Sequence, residues 1–362
     1  MKKVLILSND HAYTYDLRKE IIEELLKKYE VYVVVPYGEK VELLKKIGCK
    51  HINVKLEKRG TNPLQDAKLF FEYKRIMKKI KPNIVLSYTI KPNVYGGFAA
   101  SILKIPYIAN ITGLGTAIEN DGIMQKFTIF LHKIGFRKID CVFFQNKENQ
   151  IFFEERKISK ARYRLIPGSG VNTEEYKYLS YPNEENINFL FISRIMKEKG
   201  IEEYLYVAEK TQQKYPHAKF HVLGNCNKEY EPIIKHADEK GVIKYHGRTN
   251  DVIPFIEKCH CLIHPSFYPE GMSNVCLEAA SCGRPVITTN RNGCRETVDN
   301  NKSGYIVEIK DKEQLYKAIE DFIALSHEEK IKMGKNGREK MKQQFDRKYI
   351  VSAYMAEIER IL

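Results

Sequence analysis

The sequence predicts an α/β protein built from two doubly wound, Rossmann-like domains. Three observations support this prediction: the length of 362 residues, the alternation of short apolar runs with amphipathic segments, and the restart of that alternation halfway along the chain. Because a single hydrophobic core stops growing at about 250–300 residues, a chain of this length indicates two domains. Strands that alternate with helices form parallel sheets covered by helices on both faces.

Short β-rich runs mark the strands. In the first half they are predicted at 4–7, 31–35, 84–87, 107–110, 141–144 and 164–166, with amphipathic segments such as 17–29 and 66–80 between them. After a polar, turn-rich stretch the pattern resumes at 189–193, 219–223, 242–246, 261–264, 286–289 and 305–307. We therefore expect a first domain of residues 1–172 and a second of residues 173–346. The final helical stretch, 347–362, could fold back over either domain, and we assign it to the first.

The composition is that of an ordinary globular protein. Hydrophobic residues make up 43% of the chain and charged residues 29%, which argues against disorder or a fibrous repeat. No apolar run approaches the roughly 18 residues that would span a bilayer. The N-terminal apolar run turns polar at Asn9, which is too early for a signal peptide. A cytoplasmic location is the expectation.

Eight cysteines are present, and none has the C-x-x-C spacing of a zinc ribbon or a redox site. Reduced thiols are the simplest interpretation. The run Cys259-His260-Cys261, followed by His264, could be considered as a metal cluster. It lies in an apolar run, where alternating side chains would point to opposite faces of a strand. A buried strand is therefore favoured over a metal site.

The net charge is concentrated in the first half of the chain. Of the formal net charge of +14, residues 1–180 contribute +13. Such a bias predicts an anionic partner: a membrane surface, a phosphorylated acceptor or nucleic acid. Two segments, 68–79 and 125–138, mix Lys and Arg with Phe and Ile at helical spacing, which is typical of interfacial helices and also of ordinary core helices.

Two glutamates eight positions apart follow a predicted strand in the second half. Ser273 or Asn274 could cap a helix from about residue 275 to 282, closed by Gly283, which would place Glu278 on the helix and Glu270 on the loop before it. A helix N-terminus offers amide donors to a diphosphate. Carboxylates beside it could accept hydrogen bonds from vicinal sugar hydroxyls. The alternative is that both glutamates are simply solvated.

Two cations follow another strand of the same half. Arg194 and Lys199 come after the run 189–193, at a carboxyl end where ligands of open parallel sheets bind. Arg supplies a planar donor fork and Lys a mobile point charge, which together suit a pyrophosphate. Two surface cations in a Lys-rich chain would be the alternative.

In this order and spacing, the motifs resemble those of the family 4 retaining glycosyltransferases of the GT-B fold. The resemblance covers nearly the whole chain. It is carried by Arg194 and Lys199, by Glu270 and Glu278 with the intervening Gly-Met, and by the turn 167–172. The segments Lys91-Pro92 and 112–115 make the sequence most similar to enzymes of capsule, O-antigen and glycan assembly that act on polyprenyl-diphosphate-linked sugars. The fold implied is two Rossmann-like domains facing across a cleft.

The resemblance implies a nucleotide-sugar donor, with UDP expected, held mostly by the second domain. Glu278 would bind the ribose, Arg194 and Lys199 the diphosphate, and Glu270 the hydroxyls of the transferred hexose or N-acetylhexosamine. Further donor contacts are expected from Gly271, Met272, Ser273, Asn274, Gly247 and Arg248. The departing diphosphate would take the acceptor proton, and electrostatic stabilisation of that leaving group would do most of the catalysis.

The acceptor is expected to contact the first domain. The residues implied are Arg18, Lys91, Thr112, Gly113 and Gly115. Many relatives carry His where this chain has Thr112, and a hydroxyl cannot act as a base near neutral pH. A histidine role at that position is therefore not expected.

No cofactor and no metal are predicted, because the chain contains no D-x-D sequence and the cations could neutralise the diphosphate. Expected partners are a UDP-sugar, a polyprenyl-diphosphate-linked saccharide and the inner face of the cell membrane, where the protein would be peripheral. The absence of G-x-G-x-x-G after the first strand argues against a dinucleotide oxidoreductase. Two alternatives remain: a nucleotide-sugar epimerase on the same scaffold, and a nucleic-acid-binding protein, for which no motif is present.

Overall fold

The computed structural model describes residues 1–56, 62–115, 122–183 and 185–362. They form two compact units. The first comprises residues 1–170, 270–272 and 347–362, and the second comprises residues 171–269 and 273–346. Each unit contains a parallel sheet with helices on both faces, which confirms the predicted fold class.

The two sheets account for all strands in the described ranges. The strands of the first unit are β1 (Lys3–Leu7), β2 (Glu30–Val35), β3 (Lys50–Asn53), β4 (Ile84–Tyr88), β5 (Tyr107–Ile111), β6 (Cys141–Phe144) and β7 (Arg162–Leu165). Those of the second are β8 (Ile187–Ile192), β9 (Ala218–Leu223), β10 (Lys244–Tyr245), β11 (Cys261–His264), β12 (Val286–Thr289) and β13 (Gly304–Val307). Their spatial orders are β3-β2-β1-β4-β5-β6-β7 and β10-β9-β8-β11-β12-β13. In both sheets the order reverses beside the first strand of the unit, which is where ligands bind in doubly wound folds.

Helices connect the strands and cover the sheets. In chain order they are α1 (His11–Leu26), α2 (Val41–Lys46), α3 (Pro63–Ile80), α4 (Gly97–Leu103), α5 (Ile123–Gly135), α6 (Lys147–Glu155), α7 (Ile201–Lys214), α8 (Glu231–Glu239), α9 (Ile253–Lys258), α10 (Asn274–Ser281), α11 (Lys312–Ala324), α12 (His327–Lys340) and α13 (Arg347–Ile361). None of these helices carries an apolar stretch long enough to cross a bilayer.

Side-chain alternation along β1 divides the core of the first unit into two layers. Val4 and Ile6 pack with residues of α1 and α13 on one face of the sheet. Leu5 and Leu7 pack with residues of α3 and α4 on the other. Because both faces are buried, the strand reads as a continuous apolar run, as expected for a parallel sheet.

The C-terminal helix α13 belongs to the first unit. Its Tyr354 hydroxyl accepts a hydrogen bond from Asn110 Nδ2 at 2.6 Å, and the Tyr354 ring stacks on Phe143 with centroids 4.4 Å apart. Arg347, at the start of the helix, donates to both carboxylate oxygens of Glu20 at 2.9 Å. These buried contacts fix the last helix of the chain against β5, β6 and α1.

The sequence-based prediction misses one strand and misjudges the bounds of three others by two residues or more. Strand β3 is absent from the prediction, since its four residues contain no apolar run and none of them is buried. Strands β7 and β8 each begin two residues earlier than predicted, and β10 has two residues rather than five. Strand β11 has the predicted bounds and is buried. Next to it, both ring nitrogens of His260 are bonded to the chain, at Asn188 N and Asn183 O.

Candidate active site

The second unit brings Arg194 and Lys199 to the same aromatic ring. The Arg194 guanidinium carbon lies 5.8 Å from the centroid of the Tyr268 ring, and Lys199 Nζ lies 4.8 Å from it. Both distances fall within the range of a cation–π interaction. Lys199 is buried despite its charge. The two predicted cations therefore form one positive cluster, and Tyr268 is a supporting residue that the sequence did not single out for this role.

Backbone contacts hold this cluster in place. Phe267 N donates to Glu198 O at 2.9 Å, which joins the loop after β11 to the turn that carries Lys199. Gly200 ends that turn with φ +79°, and a Cβ there would lie 2.2 Å from Pro265 O. A glycine is required because the conformation is left-handed and the approach to the neighbouring backbone is close. The site thus depends on a backbone junction rather than on side chains alone.

The loops after β8, β9 and β10 meet at the same edge of the sheet. Ile195 N donates to Asn225 O at 2.8 Å, and Gly224 N donates to Gly247 O at 2.8 Å. A Cβ on Gly224 would lie 1.7 Å from Ser193 O, so this glycine permits the contact. The residues predicted to flank a nucleotide base, Gly247 and the exposed Arg248, therefore follow β10 and are bonded to the loop after β9, which is itself bonded to the loop after β8.

Helix α10 begins one residue earlier than predicted and ends at Ser281, before Gly283 with φ +78°. Ser273 is the N-cap residue, but its side chain makes no capping hydrogen bond. Its buried Oγ has no hydrogen-bond partner among the described residues, while its amide donates to Gly293 O at 2.6 Å. Helix N-termini favour anions. Glu278 lies half-buried one turn into the helix.

The segment 270–272 belongs to the first unit, although the predicted boundaries put it in the second. Asn146 Nδ2 donates to Glu270 O at 3.2 Å and to Gly271 O at 2.9 Å. A Cβ on Gly271 would lie 2.4 Å from Gln145 Oε1 and 2.5 Å from Thr112 O. Glu270 and Gly271 are thereby held by Asn146, and Thr112 lies against Gly271.

Sequence reasoning missed Gln145 and Asn146. A signal was present, because both polar residues directly follow the buried strand β6 and Asn is a preferred N-cap. Asn146 does cap α6, its Oδ1 accepting from Asn149 N at 2.9 Å. Gln145 Nε2 donates to Asn110 Oδ1 at 3.2 Å. The loop that follows β5 carries Gly113 and Gly115, both with positive φ.

Arg18 lies within α1, is only 4% exposed, and its guanidinium carbon sits 4.4 Å from the Tyr88 ring centroid. Its Nη1 donates to Leu17 O at 3.1 Å. These contacts hold the guanidinium against Tyr88 of β4, and the acceptor contact that the family resemblance implies for Arg18 stays a prediction.

Lys91 is partly buried in an ion pair. Its Nζ lies 2.9 Å from Asp66 Oδ1, and the Tyr95 hydroxyl donates to Asp66 Oδ2 at 2.9 Å. Burial and the adjacent carboxylate raise the pKa of the Tyr95 hydroxyl, which therefore remains a donor at neutral pH. Lys91 is thus held at one place in the first unit, at the start of the helical turn that follows β4.

Two family profiles match the chain. The family described as glycosyl transferases group 1 matches residues 173–340, and the family described as glycosyl transferase 4-like matches residues 3–146. Together with the two Rossmann-like units, these matches define the class. The chain belongs to the glycosyltransferases of the GT-B fold, and the predicted family resemblance is confirmed.

Individual relatives agree with this assignment. The chain is 26% identical to the N,N'-diacetylbacillosaminyl-diphospho-undecaprenol α-1,3-N-acetylgalactosaminyltransferase of Campylobacter jejuni, over 99% of both chains. It is 28% identical to the capsular polysaccharide biosynthesis glycosyltransferase CapM of Staphylococcus aureus, over 79% of this chain and 80% of that one. The structure of HepE from Anabaena in complex with UDP-glucose has the same fold, with a TM-score of 0.81, 17% identity and full coverage of both chains. The epimerase and nucleic-acid-binding alternatives find no support among these relatives.

Proposed function

We propose that this glycosyltransferase moves a hexose or N-acetylhexosamine from a UDP-sugar to a saccharide linked through diphosphate to a polyprenol, with retention of anomeric configuration. The observation that carries the proposal is the convergence of Arg194 and Lys199 on Tyr268. The acceptor class is supported by the Campylobacter relative, which is named for a diphospho-undecaprenol substrate and matches over the whole length. The choice of UDP is supported by the UDP-glucose held by the Anabaena protein.

In this proposal the two cations stabilise the leaving group. As the bond between the anomeric carbon and the diphosphate oxygen breaks, negative charge grows on the diphosphate. Arg194 and Lys199 supply fixed positive charge, and the amides at the start of α10 add donors. The acceptor hydroxyl attacks from the same face, forms the new glycosidic bond, and passes its proton to the departing diphosphate oxygen. No protein nucleophile is needed for that sequence.

Carboxylates orient the donor in the same proposal. Glu278, half-buried on α10, accepts hydrogen bonds from the ribose hydroxyls, and Glu270 accepts from the hydroxyls of the transferred sugar. The carbonyls of Glu270 and Gly271 are fixed by Asn146. A backbone fixed directly after a carboxylate-bearing residue reduces the entropy lost when that carboxylate orients a substrate.

We further propose that no metal ion is required. Two cations and a helix N-terminus together supply the electrostatic stabilisation that a divalent cation provides in metal-dependent transferases. The acceptor would bind the first unit near Lys91, Thr112, Gly113 and Gly115. Because the first half of the chain carries +13 of the net charge, that unit would associate with the anionic inner face of the cell membrane.

The proposal is tested by measuring nucleotide release from a panel of UDP- and GDP-sugars, with and without a polyprenyl-diphosphate-linked saccharide. The expected result is release of UDP from one sugar only when the acceptor is present, unchanged by EDTA, with an α-linked product from the α-linked donor. Loss of activity in EDTA, a β-linked product, or conversion of the donor to an isomer without acceptor would each contradict it.

A further inference from the structure

Helix α5 of the first unit has an apolar stripe that does not face the core. It buries Thr128 and His132 and exposes apolar side chains, with Ile123 at 89% and Phe127 at 45% exposure. The inward polar groups bond within the helix, for Thr128 Oγ1 donates to Met124 O at 2.8 Å. An apolar helix face directed outward normally contacts something. The orientation of α5 therefore indicates a ligand or partner for its outer face.

That outer face forms one wall of an apolar groove of about 750 Å³. The opposite wall comes from α3, α4 and the helical turn between β4 and α4. Phe70 of α3 stacks there on Phe98 of α4 with centroids 4.8 Å apart. The groove is lined by Pro63, Asp66, Ala67, Phe70, Val94, Tyr95, Phe98, Ile123, Met124, Phe127, Leu131 and Ile134. Its stripe on α5 runs about 16 Å, from Ile123 to Ile134, at about 1.5 Å per residue. A walled, elongated groove suits a single flexible chain.

The groove borders an ion pair. Asp66 is the one charged side chain among the lining residues, and it is ion-paired to Lys91 at 2.9 Å. A cation next to an apolar groove complements an amphiphile with an anionic head. A phosphate would bind Lys91 in place of the Asp66 carboxylate, or beside it. The groove would therefore bind the apolar part of such an amphiphile, and Lys91 would bind its anionic head.

We propose that this groove holds the first isoprene units of a polyprenyl diphosphate, with Lys91 next to the diphosphate. The inference rests on the proposed function and adds to it a defined binding place for the lipid chain of the acceptor. A branched isoprenoid packs its methyl groups against the aromatic faces of Phe70, Phe98 and Phe127. A bilayer surface is a poorer occupant, because it would lie against the outermost side chains rather than enter a groove.

The helix supplies a matched pair of variants. Phe127 lines the groove, whereas Phe130, on the same helix and 58% exposed, does not. The experiment is equilibrium dialysis of radiolabelled geranylgeranyl diphosphate against the full chain without membranes, for wild type, Phe127→Gln and Phe130→Gln. Ile123→Gln serves as a second groove variant, and thermal unfolding verifies that each variant is folded.

The expected result is saturable binding that weakens at least fivefold in Phe127→Gln and Ile123→Gln and less than twofold in Phe130→Gln. Equal losses in both Phe variants would show that binding does not depend on the groove lining and would overturn the proposal, as would the absence of saturable binding to the wild type. Transfer assays separate the two proposals. Sugar transfer that is indifferent to acceptor chain length and to Phe127→Gln would refute the groove alone, whereas lipid binding without transfer to any acceptor would support the groove and refute the function.

Discussion

Lys199, on the turn that ends at Gly200, has its Nζ 4.8 Å from the centre of the Tyr268 ring. Arg194 reaches the same ring from the preceding loop. Both positive charges therefore lie within about 6 Å of one ring centre. A bound diphosphate near this ring would attract both of them. This relationship therefore links the local fold directly to the proposed leaving-group chemistry.

Removing the aromatic ring should weaken catalysis without unfolding the protein. A cation–π contact is worth about 0.5–2 kcal/mol, so Tyr268→Leu should lower kcat/KM for the UDP-sugar about 3- to 30-fold. Tyr268→Phe keeps the ring and should stay within about threefold of wild type. Steady-state kinetics check both values, and equal losses in the two variants would show that the hydroxyl matters instead.

Gly200→Ala should be strongly destabilising. The new Cβ combines a left-handed φ with a 2.2 Å approach to Pro265 O, so the cost should exceed about 2 kcal/mol. Gly241 provides the control, because its φ is similar, +73°, and an added Cβ there meets nothing within 4 Å. Gly241→Ala should cost about 1 kcal/mol. Denaturant unfolding measures the loss of stability in both variants. Equal midpoint shifts would contradict the importance of the close contact between Gly200 and Pro265.

Asn146→Ser should impair activity more than stability. The Ser hydroxyl can still cap α6, but it cannot reach the carbonyls of Glu270 and Gly271 as the Asn amide does. We expect kcat to fall about tenfold, with the unfolding free energy reduced by about 1 kcal/mol. A variant with full activity would mean that the segment 270–272 does not need this anchor.

His221 and His246 should make the second unit less stable in mild acid. Burial, with a smaller effect of His246, lowers the pKa of His221 to about 4, below the value near 6.5 of an unfolded chain. The unfolded state therefore binds a proton that the folded state does not, and stability present above pH 6.5 is lost as the pH falls toward 4. With solvent screening of this partly exposed ring, the loss should be about 2 kcal/mol.

The variant His221→Gln isolates that contribution. Its unfolding free energy, measured between pH 7 and pH 4.5, should depend less on pH than that of the wild type. An unchanged slope would assign the acid sensitivity to other groups, such as the carboxylates paired across the first unit.

Local pattern was sufficient to predict the strands whose two faces are buried. Strand β6 has the predicted bounds, Cys141–Phe144. A run of four consecutive apolar residues between turns is typical of a strand buried on both faces. Strand β3, Lys50–Asn53, lies at the edge of its sheet and has no such run. Its extended conformation comes from its parallel pairing with β2, because its own residues do not specify a strand.

Site residues divide in the same way. The placement of Arg194 and Lys199 after β8, and of Glu278 on a helix after β11, could be predicted from the apolar runs before them, while their roles stay predictions. The bonds from Asn146 to residues 270 and 271 span more than 120 positions, and the enclosure of Arg18 against Tyr88 depends on how α1 packs on β4. Such contacts are properties of tertiary packing and leave no local pattern.

The central claim is that Arg194 and Lys199 stabilise the departing diphosphate. The most direct test compares acceptor-dependent UDP release by wild type, Lys199→Ala and Lys197→Ala, since Lys197 is an exposed cation of the same turn. We predict that kcat falls about 100- to 1,000-fold in Lys199→Ala, as for the loss of one transition-state donor, and less than about threefold in Lys197→Ala. Equal rates in the two variants, or a change confined to KM, would contradict the claim.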